Sequence, residues 1–253
     1  GAGVMGTAFC LPPVVNGHDV HLVGTHLDAD IISAMQAGKP HPRLGVAIAE
    51  LTLYQQEDIA KALENTDLIV LGVSSAGIDW AAETLAAALD RAVPIAALTK
   101  GLSADLQILP QVLRSRLPES IRNDINLLAI TGPCIAGELA AKRDSSVTLA
   151  GDDEAVLTRV KGWFETDFYH IWTSRDLIGS EACAALKNLY ALVIGTAKGF
   201  FEKVGKAENG ALMHNLSSAM FAQALAEMRA DGTLLEISQR WIGGDIVTPP
   251  SER

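Results

Sequence analysis

The stretch that most constrains this chain is its first, Gly1-Ala2-Gly3-Val4-Met5-Gly6. It reads G-x-G-x-x-G and opens a helix-like run over residues 7–15. In a turn from strand to helix, the first glycine of this pattern permits the tight bend. The second lets a pyrophosphate approach the backbone, and the third lets helix and strand pack closely. A helix start also offers N–H groups and a positive dipole end to phosphates. The pattern calls for a buried strand ahead of it, so the chain is read as lacking a first strand of about six residues. Asn16-Gly17 is a turn signal. Residues 18–24 then read as a β-branched-rich strand, completing most of a βαβ unit. Pro12-Pro13 predicts a short or bent first helix, since proline lacks an amide hydrogen and crowds the preceding turn.

The alternation continues. Helices are expected over 30–37, 58–64, 80–91, 107–117 and 153–164, and strands over 46–53, 68–73, 94–98, 126–130, 146–150 and 168–172. Lys39-Pro40-His41-Pro42 reads as a proline-broken loop. Several strands are continuous apolar runs, as in a mainly parallel sheet covered by helices on both faces. In such sheets ligands bind beyond the carboxyl ends of the strands. Here those ends are Gly1 to Gly6, Gly24-Thr25, Ser74-Ser75, Thr99-Lys100-Gly101 and Gly132-Pro133-Cys134, which should face one crevice. From Gly179 the strand signals stop, and Ala182, Ala185, Leu186, Leu189 and Val193 recur at helical spacing. The expected division is a dinucleotide-binding domain over 1–178 and a helical substrate domain over 179–253.

The formal net charge of −10 argues against nucleic acid or an acidic membrane surface as partner. It leaves room for an anionic small molecule held by local lysines. Three widely spaced cysteines, Cys10, Cys134 and Cys183, with no C-x-x-C give neither a disulfide framework nor a zinc site. They fit a reducing compartment. No apolar run reaches membrane-spanning length, and no metal site is expected.

Five segments together resemble the NAD(P)-dependent glycerol-3-phosphate dehydrogenases of bacterial type. They are Gly1-Ala2-Gly3-Val4-Met5-Gly6-Thr7-Ala8, Leu98-Thr99-Lys100-Gly101-Leu102, Gly132-Pro133-Cys134-Ile135-Ala136-Gly137-Glu138, Glu181-Ala182-Cys183-Ala184-Ala185-Leu186-Lys187-Asn188 and Ala226-Glu227-Met228. The resemblance implies a Rossmann-like α/β domain followed by an all-helical C-terminal domain. It implies a cytoplasmic enzyme, with a homodimer allowed for, that reduces dihydroxyacetone phosphate to sn-glycerol 3-phosphate for phospholipid synthesis. Lys187 would be the acid/base and Lys100 a second catalytic and substrate contact, also near the cofactor. Gly132, Cys134 and Asn188 would lie at the substrate. Gly1, Gly3, Val4, Met5, Gly6, Thr25, His26, Ser74 and Ala136 would hold the cofactor. The related hydroxyacid dehydrogenases of the 6-phosphogluconate dehydrogenase type share the architecture and match these motifs less well. A non-catalytic nucleotide-binding module is the reading from a different class.

The residues allow plainer roles beside these. Lys187 sits among apolar residues, where a helix-edge lysine commonly reaches past them to solvent. As an acid/base it would need burial and a neighbouring cation such as Lys100 to lower its pKa from about 10.4. Ser74 and Ser75 can satisfy loop backbone groups. Cys134 stands where a serine, threonine or asparagine is expected, and a thiol is a weaker donor. NAD sites usually place an acid at the end of the second strand, against the ribose. Here that end is Gly24-Thr25-His26, and the nearest acid, Asp28, comes late. This points to NADP over NAD, with Thr25 or His26 as donor to a 2′-phosphate and no arginine to clamp it. Gly243-Gly244-Asp245 could carry the family's active-site aspartate, with Arg253 holding phosphate. It reads equally well as a turn between helices.

Overall fold

The structure, a computed structural model, describes residues 1–48 and 50–186, together with Leu192 and Gly195. The chain divides into two compact units, Gly1–Ala185 and Leu186–Arg253. The second unit lies outside the described residues except at Leu186, Leu192 and Gly195, and of the helical domain expected over 179–253 only residues 179–186, Leu192 and Gly195 are described.

In chain order the first unit runs α1 (Val4–Ala8), α2 (Leu11–Val15), β1 (Val20–Val23), α3 (Ala29–Gln36), β2 (Leu51–Tyr54), α4 (Ile59–Ala62), β3 (Ile69–Leu71) and α5 (Ile78–Ala88). It continues with β4 (Ile95–Ala97), α6 (Leu109–Arg116), α7 (Glu119–Arg122), β5 (Leu127–Thr131), α8 (Ala136–Ala140), β6 (Ser145–Gly151), α9 (Glu154–Phe164) and β7 (Tyr169–Ser174). A tenth helix, α10, is described over 177–186.

The prolines act as expected. The first helical run breaks at Phe9-Cys10 into α1 and α2, with Pro12 near the start of α2, where its missing N–H costs no hydrogen bond. Five strands form one sheet in the order β3-β4-β5-β6-β7, and β1 pairs with β2 in a separate parallel pair. Between β1 and β3 lies a cavity of about 650 Å³, lined by Val20, Leu22, Ile69, Leu71, Phe9 and Cys10 among others.

Both faces of the larger sheet are covered, as alternate side chains of β5 show. Leu128 and Ile130 join a core with Phe9, Leu139, Val147, Leu157, Val160 and Phe164. Leu127 and Ala129 join another with Ala81, Leu85, Leu113 and Ile121. The helices supply these faces by spacing. In α5 the buried residues are Ile78, Ala81, Ala82 and Leu85, one stripe of an α-helix. In α9 Asp153 caps the start, accepting from the amides of Ala155 at 2.9 Å and Val156 at 3.1 Å. Such a cap contributes about 1 kcal/mol. Phe9 stacks on Phe164 with centroids 4.9 Å apart, so the break after α1 is anchored to α9.

One expectation needs correction. Residues 46–48 and Glu50 are not strand, and β2 begins only at Leu51. Gly45 and Glu50 have φ of 73° and 65°, outside the extended region. Two backbone bonds close the loop instead, from the His41 amide to the Val46 carbonyl at 3.1 Å and from the Gly45 amide to the His41 carbonyl at 2.9 Å. The sheet is parallel except that β6 runs antiparallel to β5. This sets Thr148 opposite Thr131 and carries the start of β6 past the end of β5. The short helices α7 and α8 have no counterpart in the sequence reading; each is about one turn, too brief for a periodic signal. Among the described residues no helix is long and apolar enough to cross a membrane.

Candidate cofactor and substrate site

Two of the three turn glycines are jammed and one is open. A β-carbon on Gly6 would overlap the Gly1 carbonyl oxygen, and one on Gly1 would sit 2.7 Å from the Gly72 carbonyl oxygen. A β-carbon on Gly3 would meet no heavy atom within 4 Å. The turn therefore closes tightly on the end of β3 and leaves its middle glycine facing space, at the start of α1. That is the shape a pyrophosphate needs.

Two side chains hold the turn from behind. Ala2 is fully buried. Its amide donates to Asp28 Oδ2 at 2.9 Å, and its carbonyl accepts from His41 Nε2 at 3.0 Å. His41 is itself buried, and its Nδ1 accepts from the amides of Leu44 at 3.0 Å and Arg43 at 3.3 Å. Nε2 is therefore the nitrogen that carries hydrogen. The same Asp28 oxygen takes two further bonds, from the Thr25 amide at 2.9 Å and the Thr25 hydroxyl at 2.8 Å. Burial opposes the charge on Asp28, but the bonds from Thr25 and Ala2 outweigh it and hold its carboxyl below the usual range.

Asp28 thus ties the end of β1 to the glycine turn. The Thr25 hydroxyl hydrogen is committed to Asp28, which leaves His26 as the side-chain donor at this end of β1. His26 is exposed, and its ring meets that of Trp80 edge-on at 5.3 Å.

The other strand ends are tied into the same rim. Beyond β4, the Thr99 hydroxyl donates to the Val73 carbonyl at 2.7 Å, and the Lys100 ammonium donates to the Gly132 carbonyl at 3.4 Å. A β-carbon on Gly101 would meet that of Ser75 at 3.6 Å. Gly132 has a φ of 119°, and a β-carbon there would press on Val147 Cα at 3.2 Å and the Ser146 carbonyl at 3.3 Å. The antiparallel course of β6 is what crowds this turn. Cys134 follows, half-buried; burial raises its thiol, against the pull of the Lys100 charge and a hydrogen bond from Ser145. Ala136 opens α8 and is buried.

Of the residues singled out in the sequence, Gly1, Gly3, Val4, Met5 and Gly6 form the turn and the start of α1, and Thr25 and His26 follow β1. Ser74 leads into a short 3-10 turn after β3. Lys100, Gly132, Cys134 and Ala136 occupy the ends of β4 and β5 and the start of α8. Lys187, Asn188, Asp245 and Arg253 lie outside the described residues.

The sequence reading missed His41, the inward turn of Asp28, and Glu181. Glu181 lies on α10 with 0% exposure, and neither carboxyl oxygen has a hydrogen-bond partner among the described residues. Burial pushes its carboxyl up to about 7, with the Lys100 charge pulling the other way. Its spacing from Leu177 and Ala184, both buried, marked it as inward-facing. The Tyr169 hydroxyl is also buried without a partner among the described residues, within electrostatic reach of Cys134.

A glycine turn with an open middle position, at the carboxyl edge of a mainly parallel sheet whose other strand ends carry Lys100 and Gly132, defines a Rossmann-type dinucleotide-binding domain. The family model for the NAD-dependent glycerol-3-phosphate dehydrogenase N-terminus matches residues 1–157. Among curated proteins, the NADP(+)-dependent glycerol-3-phosphate dehydrogenase of Archaeoglobus fulgidus is 32% identical over 254 residues, covering 97% of this chain and 69% of that protein. The glycerol-3-phosphate dehydrogenase [NAD(P)+] of Chlamydia caviae is 29% identical over 246 residues, covering 96% and 69%. Among solved structures, the glycerol-3-phosphate dehydrogenase of Coxiella burnetii superposes with a TM-score of 0.75 at 25% identity, covering 92% of this chain and 67% of that one. The chain belongs to the NAD(P)-dependent glycerol-3-phosphate dehydrogenase family.

Proposed function

We propose that this enzyme reduces dihydroxyacetone phosphate to sn-glycerol 3-phosphate, with Lys187 as the acid/base and NADPH as the preferred reductant. The observation that carries the reading is the pairing of the open Gly3 turn with the Lys100–Gly132 corner on one sheet edge. When bound, the nicotinamide cofactor supplies hydride to the ketone carbon. Negative charge then gathers on the ketone oxygen, and the Lys187 ammonium delivers a proton to that oxygen, forming the alcohol. Solvent reprotonates the lysine. Lys100 provides a fixed positive charge for the anionic substrate, oriented by the Gly132 carbonyl. Gly1, Gly3, Gly6 and the first residues of α1 cradle the pyrophosphate, and Ser74 and Ala136 line the same rim. Asn188, Cys134 and Arg253 complete the substrate contacts in this proposal, and Asp245 stands as the family aspartate.

NADPH is favoured because Oδ2 of Asp28, the acid nearest the end of β1, is taken up by the Ala2 amide and by Thr25, and the exposed His26 stands at the same strand end as a donor to a 2′-phosphate. All three cysteines are unpaired, in keeping with a reducing compartment. The test is Lys187→Ala. It should abolish reduction of dihydroxyacetone phosphate while cofactor affinity, measured by calorimetry, changes little. Retained turnover in that variant refutes the mechanism.

A further inference from the structure

His41 is a loop residue with every polar atom bonded. It is 0% exposed. Its amide donates to the Val46 carbonyl, its carbonyl accepts from the Gly45 amide, and its Nδ1 accepts from the Arg43 and Leu44 amides. Pro40 and Pro42 flank it and restrict the backbone on either side. What this leaves pointing out of the loop is one donor, Nε2–H. Its acceptor is the Ala2 carbonyl at 3.0 Å, 39 residues away in the chain.

That carbonyl belongs to the peptide between Ala2 and Gly3. A trans peptide points its C=O and N–H in opposite directions, and no peptide among the described residues is cis. His41 holds the carbonyl on the buried side, so the Gly3 N–H faces the other way. Gly3 is also the turn glycine on which a β-carbon would meet nothing within 4 Å. Its amide has no acceptor among the described residues. Asp28, by contrast, bonds the Ala2 amide and so fixes the preceding peptide.

We propose that His41 is a positioning residue for the cofactor: by holding the Ala2 carbonyl it aims the Gly3 N–H at the pyrophosphate. This rests on the reading of the glycine turn as the pyrophosphate cradle. It does not depend on the choice between NADH and NADPH or on the substrate. The groups form one chain, from His41 Nε2–H to the Ala2 carbonyl and, through the same peptide, from the Gly3 N–H to phosphate. Hydrogen bonds in such a chain polarise one another, so each strengthens the other when phosphate is bound. Without His41 the peptide is free to turn, and ordering the donor at each binding event costs affinity.

The experiment uses the whole chain and two substitutions that divide the functions of the ring. His41→Asn places an acceptor where Nδ1 stands and keeps the loop bonds, but its side chain falls short of Ala2. His41→Gln reaches Ala2 with its amide. Calorimetry should show His41→Asn weakening NADPH binding about tenfold, the size of a hydrogen bond to a charged group. NADH should weaken by the same factor, because both cofactors carry the same pyrophosphate. His41→Gln should bind both within about twofold of wild type. In turnover, the loss in His41→Asn should fall on KM for the cofactor, with kcat and KM for dihydroxyacetone phosphate changing less than about twofold. Unchanged cofactor affinity in His41→Asn, a loss for one cofactor alone, or no rescue by His41→Gln overturns the proposal.

A signature in wild type keeps the proposal open to refutation should either variant not fold. In protein labelled with nitrogen-15 at histidine and glycine, saturation with NADPH should move the proton resonances of His41 Nε2–H and the Gly3 amide downfield together. A response at Gly3 without one at His41, or at neither while calorimetry shows the cofactor bound, overturns it. If dihydroxyacetone phosphate is not turned over while both resonances move, the substrate reading fails and the role of His41 stands. If wild type binds neither cofactor, the cradle reading fails and takes this proposal with it.

Discussion

Replacing Asp28 with alanine removes three hydrogen bonds that end on one carboxylate oxygen. The consequences differ by site. Ala2 is fully buried, so its amide is left without water or protein partner, at a cost of about 1–3 kcal/mol. Thr25 is only half-buried and can turn to solvent, so its two bonds contribute about 1 kcal/mol together. The expected loss is about 3 kcal/mol, which lowers the melting temperature by about 6–12 °C for a unit of this size.

The pH dependence follows from the direction of the shift. Asp28 is held below its ordinary value, so its contribution is complete above about pH 4. It is lost as pH falls through the folded-state value, because there the folded protein takes up the proton the unfolded chain already holds. Urea unfolding followed by circular dichroism at pH 7 and pH 3 should show a full gap between wild type and Asp28→Ala at the first and a reduced gap at the second. A gap under about 1 kcal/mol at pH 7, or one that does not narrow in acid, refutes the argument. A folded, equally stable variant with selectively weakened NADH binding would return Asp28 to the ribose.

Two other predictions separate the roles of turn residues. Gly6→Ala drives a methyl into the Gly1 carbonyl and should cost about 1–3 kcal/mol of stability. Gly3→Ala meets open space and should keep its stability while losing NADPH affinity in calorimetry; equal effects from both would contradict the division of labour. His26→Ala should lower the NADPH-to-NADH ratio of kcat/KM about fivefold, and an unchanged ratio removes His26 from cofactor choice.

Much of the frame could be read from local pattern. Continuous apolar runs marked β3, β4 and β5, and stripes at helical spacing marked α5 and α9, because burial imposes those periods on the chain itself. The glycine spacing announced the turn, and its place after each strand announced Lys100 and Gly132. Where the reading failed, the deciding partner was distant. Val46 and Ile48 carry strand-forming side chains, yet the loop closed by His41 keeps residues 46–48 out of the sheet. The reversal of β6 depends on pairing with β5 and leaves no mark on its own composition.

The sequence by itself determined the class of the fold, the edge of the sheet where ligands bind, and the residue types waiting there. Those follow from steric limits on glycine and from apolar periodicity, which act within a few residues. Only the tertiary structure decided what the polar side chains do with their hydrogen bonds. Asp28 and His41 reach Ala2 across 26 and 39 residues, and Glu181 is fully enclosed with neither carboxyl oxygen bonded among the described residues. A carboxyl or imidazole has the same formula in either setting. Whether it meets solvent, a ligand or a buried amide is set by what the folded chain brings against it.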